Sequence, residues 1–543
     1  MDGSINLKGG RFDDLRLSTY YQSTKKQEPV TLLSPTGSDL PFFAEFGWVA
    51  EDKDVKTPNS KSQWALRKKD GEHSDQAVLA PGSPVTLVWD NGEGLIFERV
   101  LSIDENYLIT VNQKVTNKAD REFRLHPYGL VSRHGLPEDR QSSWILHEGP
   151  IAFFNDELHQ KSYSGLVKDK AGFKKQGNNG WLGITDKYWM VSLIPEQNEK
   201  KTYRFIHKDP ERMVDKPKFQ VDMLGGRNVI GPGETISYQN HLFAGAKTVN
   251  LLEQYSDMLG VPHLDLAVDF GWFYFITKPI FLGLHFFFVL TGNFGVAIIL
   301  LTVVLRLLVF PLANTSYKSF ARLKQISPQI MELREKHGDD KQKLQQDLVK
   351  LYEKEKVNPL AGCLPILIQI PIFFSLYKVL FVTIEMRHAP FFGWIDDLSA
   401  RDPTSILNLF GLLPFDAPGF LQIGIWPCLM FLTLMIQQRL NPPPQDPMQK
   451  QIMLMFPFII TFVMAQFPAG LVVYWTMSAA LAIIQQYIIM RRMGVDVHLF
   501  KRSSSEEKMD EMITEGPEIH PAAEYAEDQF EEAFFDGDEN TQS

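Results

Sequence analysis

The chain has 543 residues, 44% of them hydrophobic, 12% aromatic and 22% charged, with a formal net charge of −10. This composition excludes a disordered chain, and because the apolar residues crowd into 270–490 it excludes a simple soluble enzyme as well. The acidic balance argues against broad nucleic-acid binding. Both cysteines, Cys363 and Cys428, fall in apolar runs, so the polar region has no disulfide framework or cysteine-based zinc site.

From Ile5 to about Gly245 the pattern is short alternating strands broken by turn residues. In "VTLVWDNGEGLIFERV" (85–100) an apolar strand meets a turn built on Asp90, Asn91 and Gly92, and a second strand follows. Asn-Gly tolerates the positive φ angles of a tight reversal, so this stretch reads as a hairpin. "YLITVNQKVTN" (107–117) and "TISYQNHLFAG" (235–245) repeat the alternation. A large antiparallel β-sandwich is expected over residues 1–250.

"FGWFYFITKPIFLGLHFFFVL" (270–290) is open to two readings, a membrane span or an aromatic-rich helix lying in the interface. Lys278, Pro279 and His285 interrupt it and favour the second. An additional span would reverse the side on which the sandwich lies. Next comes "AIILLTVVLRLLVFPLANTS" (297–316), apolar except for Arg306, and four more apolar runs at roughly 359–383, 421–440, 452–467 and 471–490. The loop 314–358 carries ten lysines and arginines, whereas 384–420 offers only Arg387, His388 and Arg401 against several aspartates. The positive-inside rule makes the first loop cytoplasmic. Five spans then put the sandwich outside and Arg491 and Arg492 inside. The opening "MDGSINLKGG" has neither the charged nor the apolar part of a signal peptide, so a signal or anchor is expected to be missing from this sequence, the alternative being an inverted topology.

The loop 314–358 is expected to be a charged helical hairpin. Leu323, Ile326, Ile330 and Leu333 recur at helical spacing, Ser327-Pro328 restarts a helix, Gly338-Asp339-Asp340 breaks it, and Leu344, Leu348 and Leu351 mark a second one. Such a hairpin is either a solvated connector or a docking platform for incoming chain and cytosolic partners. The tail 493–543 is acidic and expected to be disordered.

An arginine at mid-helix costs about 2.5–3.5 kcal/mol on translocon scales, and each surrounding Leu, Ile or Val returns roughly 0.3–0.6. The run around Arg306 therefore still inserts. One account of the charge is snorkelling towards headgroups. The other is a wet cavity between helices, supported by further polar groups at membrane depth: Thr302 one turn away, and Gln369, Gln437, Gln466, Gln485 and Gln486. No carboxylate lies within the five runs, so a proton or cation relay is poorly provided for, and a lone cation in a wet pocket attracts acidic or polar peptide. The run 452–467 is about 24 Å as a helix and contains Pro457, so local thinning of the bilayer is expected there. The phosphate loop, the His-Glu-x-x-His zinc motif and the Gly-x-Ser-x-Gly elbow are all missing, which moves weight away from pumps and hydrolases.

"EKVNPLAGCLPILIQIPIFFSLYKVL" (355–380), "DPMQKQIMLMFPFI" (446–459), "FPAGLVVYWTMSAALAIIQQ" (467–486) and the arginine of "TVVLRLLVFPL" closely resemble the YidC membrane-protein insertases. The resemblance runs from about Leu264 to Arg492. The N-terminal region resembles the periplasmic β-supersandwich of the Gram-negative members, with "INLKGGRFDDLRL" near its start and "PHLDLAVDFGWFYFITKPIF" at the junction. It implies an α-helical inner-membrane protein with five transmembrane helices in 292–492, an N-terminal all-β domain, and an interfacial amphipathic helix over 264–291. It further implies a hydrophilic groove, open to cytoplasm and lipid, that receives the polar flank of a nascent membrane protein while the apolar helix slides along two spans. Arg306 corresponds to the groove arginine, Thr302 to the polar residue one turn before it, and Tyr474 and Trp475 to the aromatic pair of the last span. The implied partners are nascent membrane proteins, the Sec translocon, the bilayer and, through cytoplasmic loops, the ribosome; the implied work is insertion and chaperoning without cofactor, metal or chemical reaction. Two features depart from the family: the first transmembrane anchor is absent from this sequence, and the tail is acidic where the family's is usually basic, which argues against ribosome binding through it.

Two other functions compete. A small-solute transporter with an anion site at Arg306 would account for the charge, but no inverted repeat is detectable and a transporter does not need a cytoplasmic hairpin. A sugar-active enzyme is the other, since the supersandwich resembles the fold of aldose epimerases; His126, His134 and Glu138 are the residues it would offer, and they read as ordinary surface residues.

Overall fold

The computed structural model describes residues 1–67, 73–74, 76–137, 146–169, 171–210, 216–337, 340–355, 364–415, 418–419, 422–441 and 447–495. Glu138, the Gly338-Asp339 break, most of "EKVNPLAGC" and the acidic tail from 496 onward lie outside the described residues. The chain forms two compact units.

The first unit begins with a sandwich of two antiparallel sheets, of nine and ten strands. Arg11–Tyr21, Phe42–Ala50, Phe123–His134, Lys218–Leu224 and Lys201–Lys208 run side by side in one; Gly149–Phe154, Trp181–Thr185, Trp189–Pro195, Thr235–Ala246, Leu108–Asn117, Leu95–Ile103 and Val85–Asp90 in the other. The expected hairpin is present, with Asp90 opposite Ile96. Its turn is braced by Asn91, whose Oδ1 accepts the backbone N–H of Glu93 at 2.7 Å and of Leu95 at 2.9 Å. Alternation turns Leu95, Phe97 and Leu101 inward, and with them Arg99. That buried guanidinium donates to the carbonyls of Gly10 and Phe46, each at 2.5 Å, and lies over the Trp64 ring. A short helix α1 (Tyr163–Lys168), capped by Ser162, and α2 (Val249–Leu259) complete the domain.

Residues 264–291 were expected to form one helix. They form a 3-10 turn at Leu264–Ala267 and then helix α3 (Tyr274–Thr291). The break has a physical cause: Asp269 accepts the backbone N–H of Gly271 at 3.0 Å and pairs with Lys378 at 2.9 Å, and Gly271 takes a φ of +73° that ends any helical run. Both ends of α3 are tied to the sandwich side. At its start Lys278 pairs with Glu253 at 2.8 Å and Asp265 at 3.1 Å. At its end Phe288 stacks on Phe294 with centroids 3.8 Å apart, at the head of α4 (Phe294–Gln325). There the Phe391 ring lies against Gly295. Phe391 belongs to the segment that follows α7 (Leu364–Val382 in chain order) and holds the sandwich through Arg387, which donates to the Gln22 carbonyl at 3.3 Å. A Cβ built at Gly470 would lie 3.2 Å from Ile298, 3.2 Å from the Leu398 carbonyl and 3.5 Å from Leu380, so three helix ends converge at this side.

In the second unit α4 continues unbroken to Gln325, because no glycine or helix-breaking proline follows Pro311 before Ser327-Pro328. The expected hairpin therefore starts later than 314, as α5 (Ser327–His337) and α6 (Lys341–Lys354). Leu323, Ile326 and Ile330 are buried against Leu348, Leu351 and Tyr352. Then come α8 (Ile425–Leu440), α9 (Pro447–Met464) and α10 (Ala469–Arg492). α9 is 18 residues long, beginning before the apolar run that marks it in the sequence. α8 and α9 pack together, Phe431 against Phe458 at 4.9 Å. By length and composition α3, α4 and α10 suffice to cross a membrane; the apolar parts of α7 and α9, Leu367–Val382 and Lys450–Met464, are shorter.

Candidate functional site

One face of α4 is buried at Leu301 and Thr302 and again at Ala313, Ser316 and Tyr317. Arg306 lies on that stripe, four residues after Thr302 and eleven before Tyr317, and is only half-buried. The packing of the helix is therefore interrupted at the level of the charge. Among the described residues no carboxylate pairs with Arg306.

Its partners are hydroxyls. Nε and Nη2 both donate to the Oγ of Ser478 on α10, at 3.0 and 2.6 Å, and the Tyr317 hydroxyl also bonds to the guanidinium. One turn before Ser478, Tyr474 is buried, interacts with Ser478, and accepts a 2.6 Å hydrogen bond from the Nε2 of Gln369. A polar thread, Gln369–Tyr474–Ser478–Arg306–Tyr317, thus joins three helices. Hydroxyls satisfy part of the five N–H donors of the guanidinium and none of its charge. A half-buried cation so placed attracts carboxylates and polarised carbonyls more strongly than it would in water.

Of the residues expected here, Arg306, Tyr474 and Gln369 come together directly, and Thr302 is buried one turn away on the same face. Trp475 is half-buried on the neighbouring side of α10. Gln485 stands apart: it is half-buried, its Nε2 has no partner, and it makes no bond to the thread. Its neighbour Gln486 donates to Asn441 at 3.2 Å. Sequence reasoning missed Ser478 and Tyr317; spacing held a signal for Tyr317, which lies on the stripe of Arg306, whereas Ser478 is marked only once the register of α4 and α10 is known. Among the described residues no three metal-ligating side chains gather.

Comparisons with known proteins give the family. The family model described as "YidC periplasmic domain" matches residues 1–282, and the one described as "60Kd inner membrane protein" matches 286–496. A "Membrane protein insertase YidC" of Methylobacterium radiotolerans is 47% identical over 92% of this chain and 81% of its own length. That of Brucella suis biovar 1 is 47% identical over 92% and 80%, and that of Rickettsia bellii 46% over 90% and 86%. With both family models covering most of the chain and relatives this similar, the chain belongs to the YidC family of membrane protein insertases.

Proposed function

We propose that Arg306 and its thread form the polar wall of a groove through which this chain inserts nascent proteins into the inner membrane. It is a membrane protein insertase, multi-pass, with a periplasmic domain. The observation that carries the groove is a half-buried guanidinium held, among the described residues, only by hydroxyls, on a helix whose packing opens at that level. The polar flank of a client exchanges its hydration for these groups a few at a time, while its apolar segment partitions into lipid; no ATP and no covalent step are required.

The same reading has five spans, α4, α7, α8, α9 and α10, with the C-terminus cytoplasmic. What supports it is the convergence of the start of α4, the end of α7 and the start of α10 at one side. α3 lies in the interface, supported by the tethering of both its ends to the sandwich side. The α5–α6 hairpin, rich in lysine, offers itself to the ribosome or to incoming chain, and clients are handed on alone or beside the Sec translocon, where the protein also acts as a chaperone. The transporter reading finds no support among relatives, which carry the insertase name.

The test places a photo-crosslinker at Thr302 and at Tyr474 and stalls a nascent single-span protein on ribosomes. Adducts are expected at both; labelling no stronger than at a lipid-facing position such as Phe458 overturns the groove. Arg306→Lys is expected to retain more insertion than Arg306→Ala, and equal retention makes the charge dispensable.

A further inference from the structure

Between α7 and α8 the chain runs from Pro403 to Phe415 without one charged side chain. From Ile406 to Phe415 seven of the ten residues are large, apolar and exposed, Leu412 the most, at 82%. Apolar residues scattered singly over a surface need no explanation, but a contiguous set marks a place that something apolar covers.

The main chain of this segment is closed locally. The N–H of Ile406 donates to the Ile423 carbonyl at 2.9 Å, that of Leu409 to Ile406 at 3.1 Å, that of Phe410 to Ser405 at 2.7 Å, and those of Leu413 and Phe415 to Asn408 and Leu413, each at 3.0 Å. The Leu407 N–H finds the Ser405 Oγ at 3.3 Å. Asn408, the one polar side chain among the ten, turns its amide to the Phe415 carbonyl at 3.3 Å. The turn so closed holds Leu409 and Phe410 at φ of +51° and +58°, a region that bulky side chains rarely adopt. A loop in water needs no such closure, because water satisfies its N–H groups; hydrocarbon imposes it.

The segment is fastened to the first turn of α8. Asp402 accepts the Trp426 N–H at 3.0 Å, and the Thr404 hydroxyl accepts the Ile425 N–H at 3.0 Å. Its depth is therefore set by where α8 begins. Protein-binding surfaces centre on Tyr, Trp and Arg and carry a polar rim; residues 403–415 contain none of these three.

We propose that Ile406–Phe415 is embedded in the lipid leaflet at which α8 begins, its apolar side chains lying among the glycerols and upper acyl carbons of neighbouring lipids. The inference rests on the reading of α8 as a span. A segment free of charge takes hydrocarbon and ignores the headgroup, so it anchors the mouth of α8 equally in neutral and anionic lipid. Its place in that leaflet is separate from the groove at Arg306.

The test uses the full chain, one copy per lipid nanodisc, with Cys363 and Cys428 replaced by serine and a single cysteine at Leu412, Leu432 or Asn59 carrying a nitrobenzoxadiazole fluorophore. Quenching is read with a lipid bearing a nitroxide on the acyl carbons nearest the glycerol, and with aqueous iodide. Leu432, exposed in the middle of α8, reports on the span, and Asn59 on water. The Leu412 label is expected to be quenched by the nitroxide lipid and to be about tenfold less open to iodide than the Asn59 label, the least that burying one leucine side chain is worth. Leu407→Glu with Leu413→Glu is expected to restore most of that iodide access, while unchanged quenching at Leu432 shows that α8 keeps its place. Iodide reaching Leu412 as readily as Asn59, with Leu432 in lipid, overturns the proposal and leaves α8 a span; Leu432 out of lipid overturns the span reading and the proposal together. A Leu412 label shielded from iodide but untouched by the nitroxide lipid is covered by protein, which also overturns it, as does quenching that appears in phosphatidylglycerol and not in phosphatidylcholine.

Discussion

The side-chain amide of Gln438 on α8 donates to the main-chain carbonyl of Met453 on α9, the carbonyl that Pro457, four residues on, leaves without a helical partner. A neighbouring helix thus supplies the hydrogen bond that proline removes. With α9 as a membrane span, as proposed above, an orphaned carbonyl has no water to turn to, so the contact bears on stability more than a surface bond does.

Gln438→Leu is expected to destabilise the protein by about 1–3 kcal/mol, the cost of an unsatisfied buried acceptor. Pro457→Ala restores a backbone donor, so Gln438→Leu in that background is expected to cost close to nothing. Unfolding of the full chain in mixed micelles, read for all four variants, checks this; additive costs would show that the two residues act independently.

Ser478→Ala leaves Arg306 with one hydroxyl partner fewer. A hydrogen bond to a charged group is worth about 1.5–3 kcal/mol, but here solvent can take over part of it, so insertion is expected to fall several-fold and less than for Arg306→Ala. Insertion of a client with a short charged flank into proteoliposomes measures both. A larger loss for Ser478→Ala than for Arg306→Ala would put the serine, not the charge, at the centre.

Burial pushes the carboxyl of Glu385, which accepts the backbone N–H of Val249, up to about 7. Its folded value lies above its ordinary one, so its contribution to stability is complete below about pH 4.5 and is lost as pH rises through about 7, amounting to about 3 kcal/mol at most. His147, whose burial holds its imidazole near 4, has the opposite slope over part of this window. The readout is therefore the difference between Glu385→Gln and parent: the variant is expected to gain relative stability from pH 5 to pH 7 in thermal melts. A constant difference would place Glu385 in contact with water.

If α3 lies in the interface, its junction with α4 is on the sandwich side. A single cysteine at Asn293, with Cys363 and Cys428 replaced, is expected to react with a membrane-impermeant maleimide from the same side as one at Asn59. Reaction only from the opposite side would make α3 a span.

Arg306 was legible because one charge in an apolar run costs enough to demand a reason. Tyr474 and Gln369 were legible as polar groups at membrane depth or by family resemblance. Ser478 was not: a hydroxyl among small residues carries little signal until the register of two helices puts it 2.6 Å from a guanidinium. The same holds for Gln438, whose partner is fixed only by how α8 meets α9. In the sandwich, period-2 alternation revealed the hairpin at 85–100 but not the sheet order, which depends on pairings between distant strands such as Thr235–Ala246 with Leu108–Asn117. The start of α3 was misread because apolar periodicity cannot see the ion pair of Asp269 with Lys378 that holds the chain out of helix.

The meeting of Ile298, Leu380, Leu398 and Gly470 bears on the electrical tightness of the bilayer. Even a single methyl built at Gly470 would meet Ile298, Leu398 and Leu380 at 3.2–3.5 Å, so a file of water molecules does not fit beside this residue. A membrane potential drives each elementary charge with about 2.3 kcal/mol per 100 mV. At this point, among the described residues, protons and sodium ions pushed by that voltage find no conduit, which favours an energised membrane staying energised while polypeptide is being admitted.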